Sequence, residues 1–219
     1  MDDLAPVAAR LIACFDASRR EPKPFRHWLL EGILPESACE ALDALPVAPP
    51  RIADTLGKRE THNSARLFFG PEQILRNAVC ADVASAFQSV AVTRRLGALC
   101  DVALAGASLR IEYCLDTEGF WLEPHTDIGA KLFTMLVYLS DEPGCEAWGT
   151  DILDADMNLV ASAPYRRNGG LLFIPAADTW HGFHRRPIRG VRRSLIINYV
   201  KPEWRARHEL AYPGEPVAA

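Results

Sequence analysis

The chain has 219 residues, 49% of them hydrophobic and 24% charged, with a formal net charge of −4. That length fits one domain with a substantial core; the acidic balance offers no global field for nucleic acid or an anionic membrane, and no apolar run nears the ~20 residues of a membrane span. The start, Met1-Asp2-Asp3, is acidic where a secretory signal is basic, and six scattered cysteines (14, 39, 80, 100, 114, 145) contain no CxxC pair, so reduced, mostly buried thiols in a cytoplasmic protein are expected.

In chain order, residues 1–103 read as mainly helical, 104–200 as a β-rich core and 201–219 as a C-terminal tail. Ala8, Leu11, Ile12 and Phe15 recur at helical spacing, and a Pro-bearing loop follows from Glu21 to Phe25. Leu34-Pro35-Glu36-Ser37 opens a second short helix towards Leu45, closed by Pro46, Pro49 and Pro50. Pro71-Glu72 starts a longer helix in which Ile74, Val79, Val83 and Phe87 form one buried face. Another covers Val92 to Leu104. After Gly106 come eight β-prone runs: 108–114, 120–125, 132–139, 150–153, 159–163, 171–174, 180–183 and 192–200. Helices first and strands second predict one α+β domain, a sandwich or jelly roll buttressed by N-terminal helices.

Three sites stand out. In His125-Thr126-Asp127 an imidazole and a carboxylate two residues apart project from one face of a strand end, two thirds of a facial triad for Fe(II). Trp180-His181-Gly182-Phe183 follows the apolar run Gly170 to Pro175 and supplies a second His. Arg192-Arg193-Ser194 then opens a strongly apolar strand. Period-2 alternation puts Arg192, Ser194, Ile196 and Asn198 on one face and Arg193, Leu195, Ile197 and Tyr199 on the other. A buried guanidinium asks for a carboxylate partner in good geometry. Arg189 and Arg193 compete with Arg192 for that part.

The order HxD, a distal His about fifty residues later and an Arg-x-Ser beyond it resembles the 2-oxoglutarate/Fe(II)-dependent oxygenase superfamily, and most of all its prolyl-hydroxylase-like branch. Tyr113 before the HxD, Thr134 to Leu139 after it, the Gly-rich run into His181 and the opening Pro24 to Pro35 add to the likeness. The resemblance implies a double-stranded β-helix (a cupin-like jelly roll) and Fe(II) ligands His125, Asp127 and His181. It implies Arg192, Ser194 and Tyr138 for the distal carboxylate of 2-oxoglutarate, with Tyr113 and Thr134 in the same pocket. The cofactors would be Fe(II), 2-oxoglutarate and O2, with ascorbate as an accompanying reductant. Related halogenases replace the carboxylate ligand with a small residue; with Asp127 present, hydroxylation is the expected reaction.

The expected prime substrate is a small polar molecule such as an amino acid, with a peptide or protein side chain as the alternative. Nucleic acid is not expected, because DNA-repair relatives carry a second arginine where this chain has Asn198. The segment Asp141 to Thr150 with Trp148, and the loop Asp116 to Trp121, are expected to rim the pocket, with Asn198 and Arg110 facing it. His27, His62, His184 and His208 are assigned to surface or packing, and the tail Trp204 to His208 to packing alone. Two rival classes remain: a cupin-like metalloenzyme that needs no 2-oxoglutarate, and a binding module that kept the barrel and lost turnover.

Overall fold

The structure, a computed structural model, describes residues 4–59 and 66–218; His62 lies outside them. The helices are α1 (Pro6–Ala17), α2 (Glu36–Asp43), α3 (Pro71–Arg76), α4 (Ala78–Gln88) and α5 (Val90–Cys100). The strands are β1 (Arg19–Glu21), β2 (His27–Glu31), β3 (Arg66–Phe68), β4 (Ser108–Asp116), β5 (Leu122–His125), β6 (Lys131–Tyr138), β7 (Asp151–Leu153), β8 (Leu159–Ser162), β9 (Gly169–Phe173), β10 (His181–Phe183) and β11 (Arg192–Val200). Each of the eight expected β-runs forms a strand. Among the described residues no helix is long and apolar enough to cross a membrane. All six cysteines are unpaired, five of them buried.

The strands form two antiparallel sheets. The larger has the order β1-β2-β9-β6-β11-β4-β3, the smaller β5-β10-β7-β8. Alternation along the central strands decides what each face meets. Leu109 and Ile111 of β4, Met135 and Val137 of β6, and Leu195 and Ile197 of β11 share a core with Leu11, Phe15, Val83, Phe87 and Leu96 of the helices. The Tyr199 hydroxyl donates to the carbonyl of Phe87 at 2.6 Å, pinning α4 to β11. The opposite face carries Leu136, Tyr138, Leu171, Phe173 and Ile196, which pack with Ile152 and Phe183 of the smaller sheet. The candidate site opens on this second face.

Two N-terminal expectations are corrected. The longer helix from Pro71 is two helices, because Asn77 is extended (φ −126°, ψ 110°) and its side-chain amide donates back to Gln73. The break also re-phases the buried face, since Ile74 and Val79 are five residues apart and an unbroken helix would separate them. The largely helical reading of residues 1–103 overlooked β1, β2 and β3. β2 pairs with β9 over His27–Phe173 to Glu31–Gly169, and β3 pairs with β4.

Gly170 explains why the strand before the distal His is glycine-rich. A Cβ there would stand 2.1 Å from the carbonyl oxygen of Leu136 and 2.8 Å from Ile33 Cδ1. Backbone must move to admit it, so Gly170→Ala is expected to cost about 3 kcal/mol, the upper end of ordinary overpacking. Urea unfolding checks this: the midpoint should fall with the slope unchanged, and an unmoved midpoint would show that the sheet tolerates the methyl group.

Candidate active site

β5 ends at His125 and β10 begins at His181, and the two residues are direct antiparallel partners. Their rings consequently lie together, with centroids 4.4 Å apart. Each ring is oriented by the same device. The His125 Nδ1 lies 2.8 Å from the carbonyl of Glu123, and the His181 Nδ1 lies 2.9 Å from that of Thr179. A carbonyl only accepts, so each Nδ1 carries the proton and each Nε2 keeps its lone pair. Burial, reinforced by the neighbouring His125, pushes the His181 pKa down to about 4. Its imidazole is therefore neutral and able to ligate at physiological pH.

Asp127 follows in the turn before β6. Its Oδ1 receives the Lys131 ammonium at 2.5 Å and its Oδ2 receives the Thr134 hydroxyl at 2.6 Å. Burial alone would raise its pKa, but Lys131 and His181 outweigh it and hold the carboxyl at about 2. Among the described residues, no group of three or more His, Cys, Asp or Glu side chains stands in an arrangement that could hold a metal ion, and both Asp127 oxygens are engaged by Lys131 and Thr134. The donor set itself fits Fe(II): the paired imidazoles of His125 and His181 beside an ionised carboxylate, all lining one cavity of about 430 Å3.

Arg192, Ile196, Leu136, Thr134 and Thr150 also line this cavity. Arg192 is fully buried among Tyr138, Tyr165 and Phe183. Its Nε donates to the carbonyl of Trp148 at 2.8 Å and its Nη1 to Asp116 Oδ2 at 2.7 Å. Arg59 donates to Asp116 Oδ1 at 2.8 Å. Among the described residues, two guanidiniums thus share this one buried carboxylate, which leaves one of their two positive charges over. One residue along the same face, the Ser194 hydroxyl is buried with no hydrogen-bond partner among the described residues. Tyr138 lies on this face too, and its hydroxyl donates to Thr150 Oγ1 at 2.9 Å.

The other end of the cavity is charged. Arg110 donates to Glu209 at 2.6 Å, to Glu112 at 2.8 Å and to Asn198 Oδ1 at 3.1 Å, and Arg66 reaches Glu112 at 3.2 Å. The Arg110 guanidinium lies between the rings of Phe68 and Trp204. Burial would raise the Glu112 pKa, but Arg110 and Arg66 prevail and hold it at about 2. A carboxyl depressed on folding stabilises the protein above its unfolded pKa of about 4.3 and loses that contribution as pH falls towards the folded value. Thermal melting is thus expected to drop steeply from about pH 5 to about pH 3 in the wild type and less in Glu112→Gln; equal acid slopes would remove Glu112 from the acid response.

The positions of the expected site residues follow from strand parity. His125, Asp127, His181, Arg192 and Thr134 line the cavity, whereas Ser194 and Tyr138 lie on the same sheet face but are wholly buried and do not line it. Arg189 is exposed and Arg193 turns the other way to Glu142, which leaves Arg192 as the buried guanidinium. Tyr113 is a correction: it is odd where Arg110, Glu112, Cys114 and Asp116 are even, so it joins the helix-side core. Trp148 is a second, being buried rather than at the rim; its carbonyl steadies Arg192. The tail is a third, because Trp204 and Glu209 line the cavity. Arg59, Asp116, Arg66, Glu112 and Glu209 were not singled out from the sequence. The one available signal was the even parity of Glu112 and Asp116 with Arg110.

No protein-family model and no curated protein matches the chain. Solved structures do. A prolyl-4-hydroxylase from Pseudomonas putida is 15% identical with a TM-score of 0.56, over 92% of this chain and 98% of that one. HygX from Streptomyces hygroscopicus, solved with nickel and 2-oxoglutarate bound, is 15% identical with a TM-score of 0.53, over 89% and 88%. A prolyl hydroxylase from Trichoplax adhaerens, in complex with a peptide fragment of the hypoxia inducible factor oxygen degradation domain, is 12% identical with a TM-score of 0.57, over 89% of each chain. At these identities the likeness is one of fold, and the fold is the one the motifs of the sequence resemble.

Proposed function

We propose that this chain is a non-haem Fe(II) oxygenase that uses 2-oxoglutarate and O2 to hydroxylate an unactivated C–H bond of a small polar substrate such as an amino acid. Its two sheets would be the halves of a double-stranded β-helix. The observation that carries the reading is a single cavity with two parts: paired imidazoles beside an ionised carboxylate, and two buried arginines, Arg59 and Arg192, that share the single carboxylate of Asp116 among the described residues. A metal oxygenase needing no cosubstrate has no use for the second, and a degenerate binding module has no use for the first.

His125, Asp127 and His181 would hold the metal. When bound, iron with 2-oxoglutarate and O2 supplies the oxidising power, with succinate and CO2 as co-products. The protein contributes position and electrostatics. Arg192, steadied by the Trp148 carbonyl and Asp116, would take the distal carboxylate of the diacid; Arg59 would add its charge and Ser194 a hydroxyl that has no hydrogen-bond partner among the described residues. Phe183, Leu136 and Ile196 keep this end apolar, which strengthens the charge pair by excluding water. The cavity lies towards the small end of the range for ligand pockets, roughly 300–1,000 Å3, and its charged far wall favours a small polar substrate. A peptide side chain is the second reading, favoured by the peptide held in the Trichoplax structure.

The test is anaerobic reconstitution with Fe(II) and 2-oxoglutarate, then admission of O2 with a panel of amino acids and peptides. One class of compound is expected to stimulate succinate release. Turnover of O2 that ignores 2-oxoglutarate would support the cosubstrate-free rival instead.

A further inference from the structure

Resting on the reading above, we infer that Arg110, Asn198 and Thr134 form a positioning relay that fixes the orientation of the Asp127 carboxylate, and with it the metal centre. The relay is continuous. Arg110 Nη1 donates to Asn198 Oδ1 at 3.1 Å, Asn198 Nδ2 donates to Thr134 Oγ1 at 2.9 Å, and Thr134 Oγ1 donates to Asp127 Oδ2 at 2.6 Å. The three relay side chains are almost wholly buried, and Arg110, Asn198 and Thr134 are adjacent residues on β4, β11 and β6.

Its polarity is set by chemistry. A guanidinium has donors and no acceptor, so the Asn198 carbonyl oxygen must face Arg110. The amide NH2 then faces Thr134, with a second bond to the carbonyl of Phe133 at 3.3 Å. Thr134 can only accept from that NH2, so its own proton is directed to Asp127. One fixed charge thus determines where the last proton points, three residues away. Oδ2 is held, and Oδ1 faces only the long, flexible Lys131 side chain. A side chain that must meet a metal in one orientation gains from such a partner, and outer partners of ligands typically matter 10–100-fold in metal affinity.

The start of the relay is equally fixed. Glu112 and Glu209 clamp Arg110, while Phe68 and Trp204 stack on it. The segment beyond β11 is thereby connected to the metal ligand, although it contributes no ligand itself. The neutral Asn198 amide passes the direction on without adding charge beside Asp127.

Titration of Ni(II) into the apo-protein, followed by calorimetry, tests this without turnover, and Co(II) absorption reports ligand geometry. Thr134→Val removes the donated proton at nearly constant volume and is expected to weaken Ni(II) binding at least tenfold and to change the Co(II) spectrum; Thr134→Ser should restore both. Asn198→Ala should weaken binding on its own, yet add little in the Thr134→Val background, because it acts through Thr134. Melting temperatures identify any variant that binds poorly through unfolding, and the Ser rescue then decides. Wild-type affinity in Thr134→Val, or full additivity of the two changes, overturns the relay. Failure of the wild type itself to bind Ni(II) overturns the metal centre instead.

Discussion

Asp127→Ala is expected to abolish 2-oxoglutarate-dependent succinate release and to weaken divalent metal binding by more than about a hundredfold, beyond what loss of an outer-sphere partner costs. The two imidazoles stay together in this variant, because β5 and β10 pair whatever occupies position 127. What disappears is the ionised carboxylate beside them and the anchor of both Lys131 and Thr134. Lys131 then loses its counter-charge close to the two rings, which opposes a cation further. His181→Ala should produce a similar loss by a different route, removing the buried proposed ligand and leaving the Asp127 pair with Lys131 intact. Calorimetric titration with Ni(II) and a succinate assay measure both effects. Undiminished turnover in either variant would remove these residues from the ligand set.

Arg192→Ala is expected to weaken 2-oxoglutarate binding by roughly a hundredfold, about 3 kcal/mol, as truncating one partner of a buried charge pair does. Metal affinity should change little, since among the described residues Arg192 bonds to Trp148 and Asp116 and to none of the three proposed ligands. Arg193→Ala is the internal control: it lies on the opposite face, paired with a half-buried Glu142, and should leave cosubstrate affinity unaltered. Arg59 decides how the cluster divides the work. If Arg192→Ala binds 2-oxoglutarate normally while Arg59→Ala does not, Arg59 is the arginine that meets the diacid and Arg192 serves to hold Asp116.

The parts of this account that were legible in the sequence are those governed by a two-residue period. Alternation placed Arg192, Ser194, Ile196 and Asn198 on one face, and the structure has them there with Arg193 on the other. The eight strands of residues 104–200 were visible because Gly, Pro, Asp and Asn separate short β-prone runs. β2 was not, since His27-Trp28-Leu29-Leu30 is a continuous apolar stretch that alternates with nothing. The break at Asn77 comes with one side chain bonding back to Gln73, one turn earlier. Tyr113 was misplaced by following a resemblance in preference to the parity of its own strand.

The missed site residues share a different cause. Arg59 and Arg192 meet on Asp116, and Glu209 meets Arg110 across 99 positions of sequence. Such pairings are created by strand order and by the return of the C-terminal segment over the cavity, and no local spacing records them. The Asp116 bond also alters the meaning of Arg192. The sequence asked for an anion beside a buried arginine, and the protein supplies half of the answer itself.

The central claim is that one cavity holds a metal and a diacid together, each needing the other. Calorimetric titration of 2-oxoglutarate into the protein with and without saturating Ni(II) tests it most directly. The expected result is one tight 2-oxoglutarate site per chain in the presence of metal and much weaker binding in its absence. Equal affinity in both conditions, or no stoichiometric metal binding at all, would contradict it.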